Sequence, residues 1–73
     1  MGQEQERLYL REHRRAAGLK QYELAAATQW DKSSISRIEN GIQDPGVKGL
    51  IELAGVLDCR PADLFAPPVN AAA

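Results

Sequence analysis

The chain has 73 residues, 44% of them hydrophobic and 5% aromatic, and a formal net charge of −1. This length gives one small domain with a modest core and excludes a separate catalytic or ligand-binding domain. No apolar run could span a membrane, no secretory signal follows Met1 and the single cysteine cannot form an intramolecular disulfide, so we expect a cytoplasmic protein without metal or cofactor.

The first helix is predicted over residues 4–17, which contain strong helix formers and neither proline nor glycine. Gly18 then ends the pattern, as glycine does at a helix C-terminus. Residues 7–20 hold five lysine or arginine side chains and one acid, whereas residues 49–73 hold three acids and one arginine. This segregation keeps a polyanion possible as partner despite the net charge, although a solvated helix face also explains the basic segment.

A short second helix is predicted over residues 20–27, "KQYELAAA", and it ends where Thr28, Gln29 and Trp30 interrupt the alanine-rich run. Asp31 then has the side chain of an N-cap residue for a third helix that runs to about Asn40. Gly41 provides the next stop.

A fourth helix follows the loop "IQDPG", and "RPADLF" predicts a short fifth helix with Pro61 in its first turn. Residues 1–66 would form the domain and residues 67–73 a flexible tail. We expect Cys59 and His13 to be packing residues without redox or metal chemistry. The apolar positions predicted for helix four are Val47, Leu50, Ile51, Leu53, Ala54 and Leu57.

The third helix, "KSSISRIENG", has two different faces. Ile35 and Ile38 are three residues apart and therefore share one side, which predicts a core face together with Leu24, Ala25 and Trp30. The opposite side carries two cations and three hydroxyls, with no acid before Glu39. Two short helices joined by a tight turn, the second polar on its outer face, are typical of a DNA-binding helix-turn-helix.

The segment "GLKQYELAAATQWDKSSISRIENG" closely resembles the helix-turn-helix of the phage repressor and Cro type, also called the XRE family. The resemblance spans about residues 8–65, and it implies a compact all-α, five-helix domain of the lambda repressor-like type. It further implies a sequence-specific DNA-binding regulator. The matching positions are Gly18, Leu19, Gln21, Glu23, Leu24, Ala25, Ser33, Ile35, Ser36, Arg37, Ile38, Glu39 and Gly41, with Arg14 before them and Pro45, Leu50, Leu53, Ala54, Leu57, Leu64 and Phe65 after them.

By this resemblance, the recognition helix would enter the major groove and present Lys32, Ser33 and Arg37 to the bases. Arg37 is the strongest candidate because a guanidinium can donate to guanine O6 and N7 together. The resemblance also implies that Arg14 and Glu39 pair across helices one and three and orient the recognition helix. The predicted phosphate contacts are Gln21, Lys20, Asp31, Ser34, Ser36 and Arg11.

Two departures from the family pattern lie in the helix-turn-helix itself. Gln29 stands where relatives usually have glycine, so a left-handed backbone there would cost about 1 kcal/mol. Lys20 replaces the usual N-cap hydroxyl, which predicts a second helix that frays more easily. We therefore expect either a strained turn or a turn of different geometry.

One small domain contacts few base pairs, so we expect a homodimer on a palindromic double-stranded DNA operator. Its contact surface is predicted around Pro61, Leu64 and Phe65, with Val69 as a possible addition. The alternative function is a protein-interaction module of antitoxin or antirepressor type that keeps the fold. An enzyme is rejected because no catalytic set of residues is identifiable, and no small-molecule ligand or membrane is expected.

Overall fold

The computed structural model describes residues 8–68, and within this range it contains four α-helices, one 3₁₀ helix and no strand. The predicted all-α class is confirmed, but the fifth helix is a five-residue 3₁₀ turn and not an α-helix. Its chain is held by i→i+3 bonds such as that from the Asp63 N–H to the Arg60 carbonyl, at 2.9 Å. The elements are α1 (Leu10–Ala16), α2 (Gln21–Ala26), α3 (Lys32–Glu39), α4 (Gly46–Val56) and the 3₁₀ helix (Pro61–Phe65).

Helix α1 begins at Leu10, later than the predicted start at residue 4. The Tyr9 N–H donates to the Leu64 carbonyl at 2.7 Å, so the chain entering α1 is bonded to the 3₁₀ helix instead of continuing as helix. This bond joins the two ends of the domain. Residues 4–7 of the predicted helix, Val69 and the rest of the tail lie outside the described residues.

The core is formed by buried residues from all five helices. The predicted core face of α3 is confirmed, because Ile35 and Ile38 are buried. Trp30 is only half-buried, and it packs against the edge of the core. The buried hydrophobic residues are Leu10, Leu24, Ala25, Ile35, Ile38, Leu53, Ala54 and Leu64.

Helix α4 has apolar residues on two faces, and only one of them is in the core. Leu53 and Ala54 are buried, whereas Val47 is 76% exposed and Ile51 is also exposed. Val47 and Ile51 are four residues apart and so share the outer face of the helix. The list of apolar positions predicted for this helix therefore divides between a packed face and an exposed face, because apolar spacing alone does not say which face is covered.

Helices α1 and α3 end in the same hydrogen-bonded motif. Gly18 and Gly41 both have φ of +76°. After α1, Gly18 and Leu19 donate to the Arg15 and Arg14 carbonyls at 2.9 and 3.1 Å, which is the pair of bonds of a Schellman motif. The chain after Gly41 makes the equivalent bonds to α3, so the two predicted glycine stops are confirmed.

Helix α4 ends with the same two bonds but without glycine. Asp58 has φ of +59°, and it is the only non-glycine residue with positive φ between residues 8 and 68. Its N–H donates to the Gly55 carbonyl at 3.3 Å, while the Cys59 N–H donates to the Ala54 carbonyl at 3.0 Å. Aspartate tolerates this conformation better than most residues.

Of the two alternatives expected for the turn at Gln29, the structure has the one of different geometry, because Gln29 has no positive φ. Gln29 instead donates its backbone N–H and its side-chain amide to the Glu52 carboxylate, at 3.1 and 3.0 Å. Thr28 closes α2 by donating its hydroxyl to the Leu24 carbonyl at 3.2 Å. The turn between α2 and α3 therefore has a geometry that needs no glycine and is tied to α4.

His13 and Cys59 have the packing environments expected of them. His13 is half-buried, and its Nε2 lies 2.9 Å from the Ala66 carbonyl, to which it donates. Cys59 is half-buried against the core. Burial, followed by the negative charges of Asp63 and Asp58, raises the pKa of the Cys59 thiol and keeps it protonated.

Candidate nucleic-acid interface

The start of α3 is fixed by Asp31. Its Oδ1 accepts from the Ser34 N–H at 2.8 Å, which satisfies one of the free donors of the first turn. Hydrogen bonding with Ser34, and to a smaller extent the charge of Arg37, lowers the pKa of Asp31 and keeps it ionised. Asp31 is therefore an anionic cap, and its carboxylate is unsuited to the phosphate contact that we predicted.

The outer face of α3 is polar, cationic and accessible. Lys32, Ser33 and Arg37 are exposed, whereas Ser34 and Ser36 are half-buried. Helix α2 contributes one side chain, Gln21, to the same surface. A shallow concavity of about 330 Å³ is lined by Gln21, Lys32, Ser33, Ser36 and Arg37.

The Arg37 guanidinium lies over this face with neutral partners. Its Nε donates to Gln43 Oε1 at 2.9 Å, and its Nη2 donates to Ser34 Oγ at 3.3 Å. It forms no ion pair with any carboxylate of the described residues. Its positive charge is therefore available to an anionic partner. Sequence reasoning missed Gln43, which lies in the loop after α3 and has no pattern that marks it.

Behind the recognition face, Glu39 accepts from donors of two helices, α1 and α2. It accepts from Arg14 Nε at 2.6 Å and from Gln21 Nε2 at 3.0 Å, with Arg11 Nε farther away at 3.3 Å. The Glu39 side chain is 0% exposed and that of Arg14 is 9% exposed. The structure thus brings together the Arg14 and Glu39 side chains that the family resemblance pairs.

The ionisation of Glu39 follows from these contacts. Burial by itself would raise the pKa of this carboxyl, but the hydrogen bonds from Arg14 and Gln21 and the charge of Arg14 lower it further. The pKa of Glu39 is therefore below its ordinary value, and the group is a carboxylate at neutral pH. Arg14 also donates Nη1 to the Leu19 carbonyl at 2.9 Å, so the pair links α1, α3 and the start of the α2 segment.

Two of the predicted phosphate ligands are engaged within the protein. Arg11 is bonded to Glu39 and donates Nη2 to Asn40 Oδ1 at 2.9 Å, although 38% of its side chain is exposed. Gln21 donates one amide hydrogen to Glu39 and retains the other. Gln21 thus stays able to donate at the edge of the concavity, whereas the Arg11 guanidinium is held by Glu39, a carboxylate it shares with Arg14, and by Asn40.

Lys20 is exposed, and its ammonium group has no partner among residues 8–68. Its backbone N–H donates to Glu23 Oε1 at 2.7 Å, which is one half of a capping box. Glu23 therefore provides part of the capping that the missing hydroxyl at position 20 would have given. The Lys20 side chain is left available to a phosphate.

The residues predicted for a dimer contact have different environments. Leu64 is fully buried in the core of its own chain, Pro61 is half-buried, and Phe65 is 47% exposed. A side chain with no accessible surface cannot contact a partner, so Leu64 is corrected from an interface residue to a core residue. Phe65 is the most exposed member of this set, and Pro61 is partly accessible beside it.

Among the described residues, no three side chains of metal-binding type come together. No helix between residues 8 and 68 is long and apolar enough to cross a membrane.

A family model described as helix-turn-helix matches residues 10–64, from the first residue of α1 to the buried leucine of the 3₁₀ helix. No curated protein and no solved structure matches the chain. The match covers both helices of the motif and the elements that pack around them. The chain therefore belongs to the helix-turn-helix family of the XRE type, a family of DNA-binding transcription regulators and not of enzymes.

Proposed function

We propose that this protein is a sequence-specific repressor that binds a palindromic operator as a homodimer, with α3 in the major groove. The observation that carries the proposal is the outer face of α3, where Lys32, Ser33 and Arg37 surround a concavity without any carboxylate partner for the two cations. Such a surface attracts the phosphate backbone and offers donors to base edges. A repressor of this kind would act by covering its operator, in the cytoplasm where the DNA lies.

Within this proposal the polar side chains divide into two roles. Lys32, Ser33 and Arg37 read base edges because they are the exposed residues of the recognition face. Lys20 and the remaining amide hydrogen of Gln21 contact phosphates at the start of α2. Ser34 and Ser36 are half-buried hydroxyls on the sides of α3, from which they contact phosphates flanking the groove.

Dimerisation is proposed through the apolar surface around Phe65. Phe65 lines a groove of about 730 Å³ together with Leu8, Val47 and Leu50. Two copies related by a twofold axis would cover this surface and place their recognition helices at half-sites about 10 to 10.5 bp apart. Exposed apolar patches of this kind are typical of protein contacts.

The test of the DNA proposal compares Arg37→Ala with Lys20→Ala on a duplex selected from a random pool and on a scrambled duplex. Arg37→Ala is expected to cost about 1 to 3 kcal/mol on the selected duplex and little on the scrambled one, since it removes a base contact. Lys20→Ala is expected to weaken both equally and to lower the salt slope by about one.

Arg60→Ala is the matched control, because Arg60 is an exposed arginine before the 3₁₀ helix and away from α3. It should leave binding to both duplexes unchanged. Equal losses for Arg37→Ala on both duplexes would make Arg37 a phosphate ligand. No loss on either would favour the protein-interaction module.

The dimer is tested by sedimentation of the unaltered protein at micromolar concentration, free and on the selected duplex. Phe65→Ser should shift the free protein toward monomer, whereas Tyr22→Ser, which alters another exposed aromatic residue on α2, should not. Helical content is measured for each variant. A monomer in both states of the unaltered protein would contradict the dimer.

A further inference from the structure

The loop after α3 folds back on the recognition helix, and two of its N–H groups meet the same residue, Arg37. The N–H groups of Ile42 and Gln43 both donate to the Arg37 carbonyl, at 2.8 and 3.2 Å. The left-handed backbone of Gly41 turns the chain so that both bonds form. Gln43 is therefore attached to the backbone of the same arginine whose side chain it contacts.

The side-chain contact fixes which atoms of the two groups meet. Arg37 Nε can only donate, so the Gln43 oxygen and not its nitrogen faces the guanidinium, at 2.9 Å. Ser34 Oγ accepts from Nη2 on the other side, at 3.3 Å. The guanidinium of an exposed arginine is thus bonded from two positions before any DNA arrives.

These two bonds leave free the donors that base recognition needs. A guanidinium has five N–H groups, and Gln43 and Ser34 occupy one on Nε and one on Nη2. Three remain, two on Nη1 and one on Nη2, and these form the outer end of the group. Guanine O6 and N7 accept from two such donors together.

The partner of Arg37 is also neutral, unlike the partner of Arg14. Arg14 faces the buried carboxylate of Glu39, which compensates its charge. Gln43 orients a guanidinium without cancelling the charge that attracts DNA. An amide is therefore the side-chain type that suits a base-reading arginine at this position.

We propose that Gln43 is a positioning residue that sets base specificity by holding the Arg37 guanidinium in its base-reading orientation. This inference rests on the proposed function, because it needs Arg37 to read a base. Restricting the arginine rotamers before binding reduces the ordering that the contact requires. Gln43 need not touch the DNA itself.

The experiment measures discrimination, the ratio of Kd values for a duplex with the preferred base pair at the Arg37 position and one with that pair replaced. Gln43→Met keeps the size of the side chain and removes the acceptor, and it should reduce discrimination about three- to tenfold. Gln43→Glu keeps the acceptor and should keep discrimination, while weakening binding to every duplex by repelling phosphates.

A double-mutant cycle separates positioning from direct DNA contact. In an Arg37→Ala background, Gln43→Met should have no further effect on either duplex, because there is no guanidinium left to orient. Additive losses in the double variant would mean that Gln43 contacts DNA on its own account, and they would overturn the proposal. Unchanged discrimination in Gln43→Met alone would overturn it as well.

The contact itself is measured in the free protein from the NMR signal of the Arg37 Nε–H. Exchange of this hydrogen with water should be slow in the unaltered protein and in Gln43→Glu, and fast in Gln43→Met, with thermal unfolding unchanged. Fast exchange in the unaltered protein would overturn the proposed contact. If the unaltered protein binds all duplexes equally, both the proposed function and the specificity role of Gln43 are refuted. If the unaltered protein discriminates and Gln43→Met discriminates equally well, only the positioning role of Gln43 is refuted.

Discussion

The arginines of α1 and the cations of α3 are chemically alike but have different surroundings. Arg11 and Arg14 donate to Glu39 and are held inside the protein's own network. Lys32 and Arg37 have no carboxylate partner among the described residues and lie on the surface. A count of basic residues therefore overstates the attraction of α1 for DNA, because two of its three arginines are bonded to Glu39 and only Arg15 is exposed without an ion pair among the described residues.

The largest effect expected from this difference is on stability. Glu39→Gln should lower the free energy of unfolding by about 2 to 4 kcal/mol, because it leaves the charge of the nearly buried Arg14 without a counter-charge. Arg37→Ala, which removes an exposed cation, should change it by less than about 0.5 kcal/mol. Urea unfolding at neutral pH measures both. Equal changes in the free energy of unfolding for the two variants would show that the cations of α1 and those of α3 do not differ in their contribution to stability.

A smaller effect is expected from acid. The pKa of Glu39 is lower in the folded chain than its ordinary value of 4.5, so protonation favours the unfolded state. The stabilisation is complete above about pH 4.5 and is lost as the pH falls through the folded value. Unfolding measured from pH 6 downward should show this decline. In Glu39→Gln the decline should be shallower, with the remaining slope due to Asp31 and Asp63, whose pKa values are also lowered.

The features of the fold that were predicted correctly depend on residues that are close together in the sequence. Gly18 and Gly41 end helices because a left-handed residue lets the next N–H groups reach back to the last turn. The inner face of α3 followed from the spacing of Ile35 and Ile38. Such features are set within one turn of helix, and so the sequence carries them directly.

The parts that were missed depend on contacts between distant residues. Gln29 has no left-handed backbone, and its two donors are accepted by Glu52 from another helix. Gly49 is needed because a Cβ there would lie 2.8 Å from the Trp30 ring. On the recognition face, no sequence motif indicates that the Gln43 side chain would accept a hydrogen bond from Arg37. The same limit explains why Arg11 of α1 was assigned to phosphate.

The smallest effect is expected for Arg11, a residue of α1 that donates to Glu39 but keeps a partly exposed side chain. Arg11→Met should lower stability by only about 0.5 kcal/mol, because Glu39 retains Arg14 and Gln21 as donors and exposed ion pairs contribute little. On the scrambled duplex it should change the salt slope by clearly less than the one unit expected for Lys20→Ala, since the Arg11 guanidinium is already bonded to Glu39 and Asn40. Titrations at several salt concentrations compare the two variants. If Arg11→Met lowered the salt slope by a full unit, Arg11 would have to leave Glu39 in order to bind a phosphate. The distinction between internally bonded and accessible cations would then hold only for the free protein.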